Sequence, residues 1–205
     1  DHAIQHRYLQ ADGVNIFYRE AGDPSHPVLL LLHGFPTSSH QFRHLMPLLA
    51  DRFHLIAPDL PGFGFTDVPA ERHYSWTFDA LGQTLTAFVD ALGLKRYALY
   101  VFDYGAPAGL RLALARPERV SGLISQNGNA YLEGLGEAWA PVRAYWDDPS
   151  EAKGQVVRDT VLTPEAIKWQ YTHGVSDPQL IAPETYTLDT LLMERPGNKA
   201  IQQAL

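Results

Sequence analysis

The sequence predicts an α/β fold, a mostly parallel sheet with helices on both faces and a helical cap. Three observations carry that prediction. From residue 27 onwards short apolar runs alternate with longer stretches of helical period. The apolar runs end in glycine-bearing turns, and past residue 126 the alternation gives way to a stretch crowded with Trp and Tyr.

The elements follow in order. Residues 6–10 and 14–19 flank Asp12-Gly13, a dipeptide suited to a two-residue hairpin turn, so the chain is expected to open with an antiparallel pair. Residues 28–32 then read as strand, 39–50 as helix, 54–57 as strand and 78–92 as helix. The pattern repeats with strand 97–102, helix 105–115 and strand 120–125. Residues 1–126 therefore form the expected core and residues 127–205 an inserted helical cap or lid, with Trp139, Trp146, Trp169, Tyr131, Tyr145, Tyr171 and Tyr186 in it. Ligands of such sheets bind beyond the carboxyl ends of the strands, which directs attention to the residues just after Leu32, Pro58 and Phe102.

Composition narrows the function. The chain has 205 residues, 45% of them hydrophobic, with 16 Lys and Arg against 23 Asp and Glu for a net charge of -7. With no basic run, nucleic acid is not an expected partner. The absence of cysteine excludes disulfide scaffolds, thiolate catalysis and Cys-based zinc sites. Residues 1–20 lack the apolar core of a signal peptide, and the apolar run 28–32 is far too short to cross a bilayer. A soluble, cytoplasmic protein without a membrane partner is expected. Oligomeric state leaves no mark in the sequence.

Three turns carry the chemistry. His33-Gly34-Phe35-Pro36 follows the first buried strand, Asp59-Leu60-Pro61-Gly62-Phe63-Gly64 the next, and Asp103-Tyr104-Gly105 the strand 97–102, with helix immediately after it. Strand, sharp turn and helix make the setting of a nucleophile elbow, which projects its central residue from the top of the sheet. The helix N-terminus behind it favours an anion, and Pro107 lies in the first turn, where its missing N–H costs nothing. Taken by itself, Asp103 could equally be a helix N-cap. No G-x-S-x-G is present, so a serine esterase is not expected.

These motifs, over residues 14–126, resemble the α/β-hydrolase superfamily, in particular its branch of epoxide hydrolases and haloalkane dehalogenases, whose elbow carries Asp in place of Ser. The resemblance implies that Asp103 is the nucleophile and that the backbone N–H groups of Phe35 and Tyr104 form the oxyanion hole. It departs from the family at Val101, where a small residue is usual. A carboxylate nucleophile suits displacement at saturated carbon, because the resulting ester has a carbonyl that water can attack. His33 is implied to be structural and, with Pro36 and Trp146, is placed at the substrate pocket.

Epoxide opening leaves an alkoxide that needs an acid, and the resemblance points to Tyr145, with Tyr186 as a second candidate. Both could instead be packing aromatics. Dehalogenation is the alternative, since Phe35 and Tyr104 stand where dehalogenase relatives carry Asn and Trp. The mechanism also needs a general-base His and an orienting acid, which the family places beyond the cap. No histidine follows His173, and residues 126, 127 and 129 are Gln126, Asn127 and Asn129. The expectation is therefore that the natural protein continues past Leu205, that the C-terminal part of the core is missing from this chain, and that these 205 residues alone do not turn over. A non-catalytic ligand-binding protein on the same fold is the second alternative. The expected partners are a small apolar organic substrate and water, and no metal or organic cofactor is called for.

Overall fold

A computed structural model describes residues 3–205. The chain divides into two compact units, residues 1–130 and 131–205. Sequence had drawn this boundary after residue 126. The next four residues go with the first unit, where a Cβ on Gly128 would lie 2.5 Å from Ala106 Cβ.

The first unit is built on a six-stranded sheet of β1 (Gln5–Ala11), β2 (Val14–Ala21), β3 (Val28–Leu32), β4 (His54–Pro58), β5 (Tyr97–Phe102) and β6 (Val120–Gln126), in the order β1-β2-β4-β3-β5-β6. The β1–β2 and β2–β4 pairs are antiparallel; β3–β4, β3–β5 and β5–β6 are parallel. Asp12 and Gly13 both adopt positive φ, 53° and 69°, the left-handed pair that a hairpin turn of matching twist requires. Arg72 and Thr84 bond the Asp12 carboxylate, at 2.8 and 2.7 Å, and the Tyr74 hydroxyl lies 2.7 Å from the Thr84 hydroxyl. That knot ties the hairpin to α2 (Phe78–Ala91).

Strand β3 is buried on both faces, which is why its sequence is an unbroken apolar run rather than an alternation. Leu29 and Leu31 pack with Phe42, Met46, Leu55 and Ala57 on the face covered by the short helix α1 (Leu45–Leu49). Leu32 points to the opposite face, against α3 (Gly105–Ala115). Helix α2 buries Leu81, Leu85 and Phe88, one stripe at helical spacing, and Thr77 caps it by accepting from the Ala80 N–H at 3.1 Å.

Two elements differ from expectation. The helix predicted over 39–50 is a 3-10 turn, Ser39–Phe42, followed by α1. Pro47 explains the break: it has no N–H to bond the carbonyl of residue 43, and its ring crowds that carbonyl. Strand β6, at the sheet edge, is almost wholly exposed, with Leu123 and Ile124 each about half accessible, 50% and 51%.

The second unit is helical: α4 (Ala140–Asp147), α5 (Glu151–Val161), α6 (Pro164–Thr172), α7 (Pro183–Met193) and α8 (Asn198–Ala204). Ser150 and Thr163 cap α5 and α6, and prolines open α6 and α7, where no N–H is needed. Val157, Leu162, Ile167, Leu192 and Met193 are buried in it, and the Tyr171 hydroxyl donates to the buried Asp189. Among the described residues no helix is long and apolar enough to cross a membrane.

Candidate active site

Asp103 follows β5 with φ 49°, a left-handed conformation uncommon outside glycine. The bend throws its carboxylate toward the turn after β3. There Oδ2 accepts two backbone hydrogen bonds, from Phe35 N at 2.8 Å and from Tyr104 N at 2.6 Å. Oδ1 accepts none among the described residues. The N–H groups of Phe35 and Tyr104, which the resemblance implied as donors, both point at one oxygen of Asp103.

Glycines make the approach possible. A Cβ on Gly34 would land on the Asp103 side chain, 2.7 Å from Oδ2, and one on Gly105 would meet the carbonyls of Leu32 and His33 at 2.5 and 2.7 Å. Val101, the departure from the small elbow residue, is accommodated by Gly109, where a Cβ would lie 2.7 Å from Val101 Cγ1.

Aromatic rings gather on Tyr104, the residue after the carboxylate. Tyr104 meets Phe78 at 4.9 Å, Phe35 at 5.8 Å and Phe63 at 6.3 Å between centroids. Burial pushes the Asp103 carboxyl above its usual range, while the Phe35 and Tyr104 N–H groups pull it back part of the way. Burial, followed by the neighbouring Asp103, holds the Tyr104 hydroxyl neutral well above its ordinary titration range.

His33 is fully buried. Leu60 N–H donates to its Nε2 at 2.9 Å, so Nε2 is the acceptor and Nδ1 carries the proton, which faces the Gly34 carbonyl at 3.0 Å. Desolvation lowers its pKa, which keeps the ring neutral. With both nitrogens engaged, His33 joins two turns and has no atom to offer a substrate. Pro36 is buried in the same turn, after a cis peptide bond. Tyr145 and Trp146 lie on α4, where Trp146 packs against Trp139 at 5.8 Å, and Tyr186 lies on α7 beneath Lys168, at 5.3 Å.

Asp59, which opens the turn after β4, is a buried carboxylate that accepts from Ser39 N and Phe65 N, each at 2.8 Å. Arg19 approaches it at 3.9 Å and donates to Ser39. Asn127 is the other residue that sequence did not single out for its backbone. It follows Gln126, the register partner of Phe102, and has φ 52°, so β5 and β6 end in the same left-handed bend.

A mixed sheet of this order, with a carboxylate elbow after β5 and a two-amide cradle opposite it, defines an α/β-hydrolase scaffold. The chain belongs to the alpha/beta hydrolase fold family, which it matches over residues 27–174. It is 46% identical over 205 residues to the uncharacterized hydrolase YNR064C of Saccharomyces cerevisiae, covering 98% of this chain and 69% of that protein. A haloalkane dehalogenase of Bradyrhizobium diazoefficiens is 40% identical over 120 residues, 58% of this chain and 38% of its own length. The chain thus spans well under half of that dehalogenase. The solved structure of the epoxide hydrolase CorEH superposes with a TM-score of 0.78 at 20% identity, covering 98% of this chain and 73% of that one, a likeness of fold.

Proposed function

We propose that this protein is a hydrolase that attacks saturated carbon with Asp103, through a covalent alkyl ester, and that its substrates are epoxides. The observation that carries the proposal is the asymmetry of the carboxylate: Oδ2 is held by two N–H groups, and Oδ1 has no hydrogen bond among the described residues. Oδ1 attacks the carbon, whose bond to the epoxide oxygen breaks, and the alkoxide takes a proton from an acid. Water then gives one proton back to the conjugate base of that acid as its oxygen adds to Cγ, and the negative charge moves onto Oδ2, where the two donors already point. Collapse breaks the Cγ–Oδ1 bond. Oδ1 leaves with the product as a hydroxyl group, protonated at the expense of the water, and the carboxylate is restored with the water oxygen in it. Tyr145 and Tyr186 are the proposed ring-opening acids.

The rings beside Asp103 favour an apolar substrate. They also favour epoxide over halide, because a departing halide needs side-chain donors near the attacked carbon. The Phe35 ring has none, and the Phe35 N–H is already committed to Oδ2. Dehalogenation is the second proposal, favoured by the similarity to the Bradyrhizobium protein.

The test is rapid-quench mass spectrometry of the full protein with styrene oxide and with butyl bromide. An adduct on Asp103 that disappears in Asp103→Asn is expected, and diol formation against bromide release decides between the two chemistries. Turnover that survives in Asp103→Asn overturns the proposal, and a ligand-binding protein on this fold would form no adduct at all.

A further inference from the structure

The peptide unit between Gly34 and Phe35 is bonded at both ends. Its N–H donates to Asp103 Oδ2 at 2.8 Å and its carbonyl accepts from His33 Nδ1 at 3.0 Å. A peptide is planar, with C=O and N–H pointing in opposite directions, so fixing one group fixes the aim of the other. The imidazole is itself held in place. Leu60 N–H bonds its far nitrogen at 2.9 Å, and the Phe63 ring packs edge-on against it at 5.2 Å. Both Leu60 and Phe63 belong to the turn after β4, which Asp59 ties to residues 39 and 65.

We infer that His33 is a positioning residue for the oxyanion hole: through the Gly34–Phe35 peptide plane it aims the Phe35 N–H at Asp103 Oδ2, using the turn after β4 as its anchor. A bond accepted by the carbonyl also polarises the peptide and strengthens the N–H as a donor. This rests on the ester mechanism proposed above. It makes a directional claim within that mechanism, because the two half-reactions load Oδ2 in opposite senses. When Oδ1 attacks carbon the carboxylate loses charge, so a strong donor on Oδ2 gives no help. When the ester is hydrolysed, charge gathers on Oδ2 and the donor lowers the barrier. Loss of the His33 anchor therefore slows ester decay and leaves alkylation unchanged or slightly faster, whereas general damage to the site slows both.

Two amide substitutions separate the ends of the ring. His33→Asn keeps an N–H near the place of Nδ1 and loses the partner of Leu60. His33→Gln reaches the place of Nε2 and gives up the bond to Gly34. Build-up and decay of the styrene oxide-derived ester on Asp103 are timed by rapid quench in both full-length variants, with no cysteine in residues 1–205 to compete for the label. Ester decay about tenfold slower in His33→Gln, with alkylation intact and a clearly smaller slowing in His33→Asn, which keeps the bond to Gly34 and loses only its anchor, is expected. Equal decay in the two variants, or alkylation and decay falling together in both, overturns the inference. If His33→Gln does not fold, hydrogen exchange at the Phe35 amide decides. Protection retained in His33→Asn supports the role, and fast exchange in an otherwise folded His33→Asn refutes it. No adduct in the unmodified protein is a failure of the ester mechanism and leaves the hydrogen-bond geometry of His33 to the exchange measurement.

Discussion

Replacing Gly109 by Ala tests whether the nucleophile elbow is seated by the pairing of Val101 with a glycine. The new Cβ would stand 2.7 Å from both Val101 Cγ1 and Leu32 Cδ1, where carbon atoms settle at roughly 3.5–4 Å. The Leu32 methyl is the far end of a flexible side chain and can turn aside. Val101 is β-branched, fully buried and restricted about χ1, so helix α3 itself must shift. Overpacking of this kind costs about 1–3 kcal/mol, against which Ala in a helix interior regains about 0.5–1 kcal/mol over Gly. The net loss is then about 0–2.5 kcal/mol, and because Tyr104 stands at the start of that helix, alkylation of Asp103 should slow as well. Val101→Ala alone removes two buried methyl groups and costs about 2–3 kcal/mol. In the double variant the two changes relieve each other, and a coupling of about 1–2 kcal/mol is expected in urea unfolding of the four proteins of the cycle. If the losses simply add, to within about 0.5 kcal/mol, Val101 and Gly109 do not share the space and the account of the elbow is wrong.

Gly34→Ala should abolish alkylation of Asp103 by styrene oxide, since the added methyl occupies the place of the carboxylate, and an adduct formed at the unmodified rate would contradict the cradle geometry. Because burial raises the Asp103 pKa, alkylation should fall off with acid at a midpoint above the ordinary carboxylate range, which a pH–rate profile of adduct formation measures. The folded state holds that proton more tightly than the unfolded chain, so the group's contribution to stability is present below its unfolded pKa and is lost as pH rises through the raised one. Asp103→Asn, which cannot ionise, should therefore melt at or above the unmodified temperature near neutrality. Thr84→Val removes a buried hydroxyl bonded to Asp12 and Tyr74, at 2.7 Å each, and should cost about 1–3 kcal/mol in urea unfolding.

What was legible in the sequence is what local chemistry decides. The Asp12-Gly13 hairpin, the apolar strands and the elbow at Asp103 each rest on residues close together in the chain, and the structure places all of them where their patterns do. The 39–50 segment misled because its apolar spacing is helical while Pro47 forbids one continuous helix. Other features depend on contacts between distant residues. The bond from Phe35 N to Asp103 joins residues 68 apart in sequence, and only the resemblance to a family, not the spacing, suggested it. The fit of Gly109 against Val101 and the bend at Asn127 have no such signal, because each depends on the register of elements packed side by side. The buried carboxylate of Asp59 was concealed by its setting, since an acidic residue at the head of a glycine-rich turn looks like surface until the turn closes over it.

The bare outer flank of β6 has a practical consequence. A strand bonded on one side only, carrying Leu123 and Ile124 in the open, offers a free ladder of amides and carbonyls to any extended peptide that drifts alongside. Light scattering from the isolated 205-residue chain is expected to grow with concentration, and Ile124→Lys to suppress that growth.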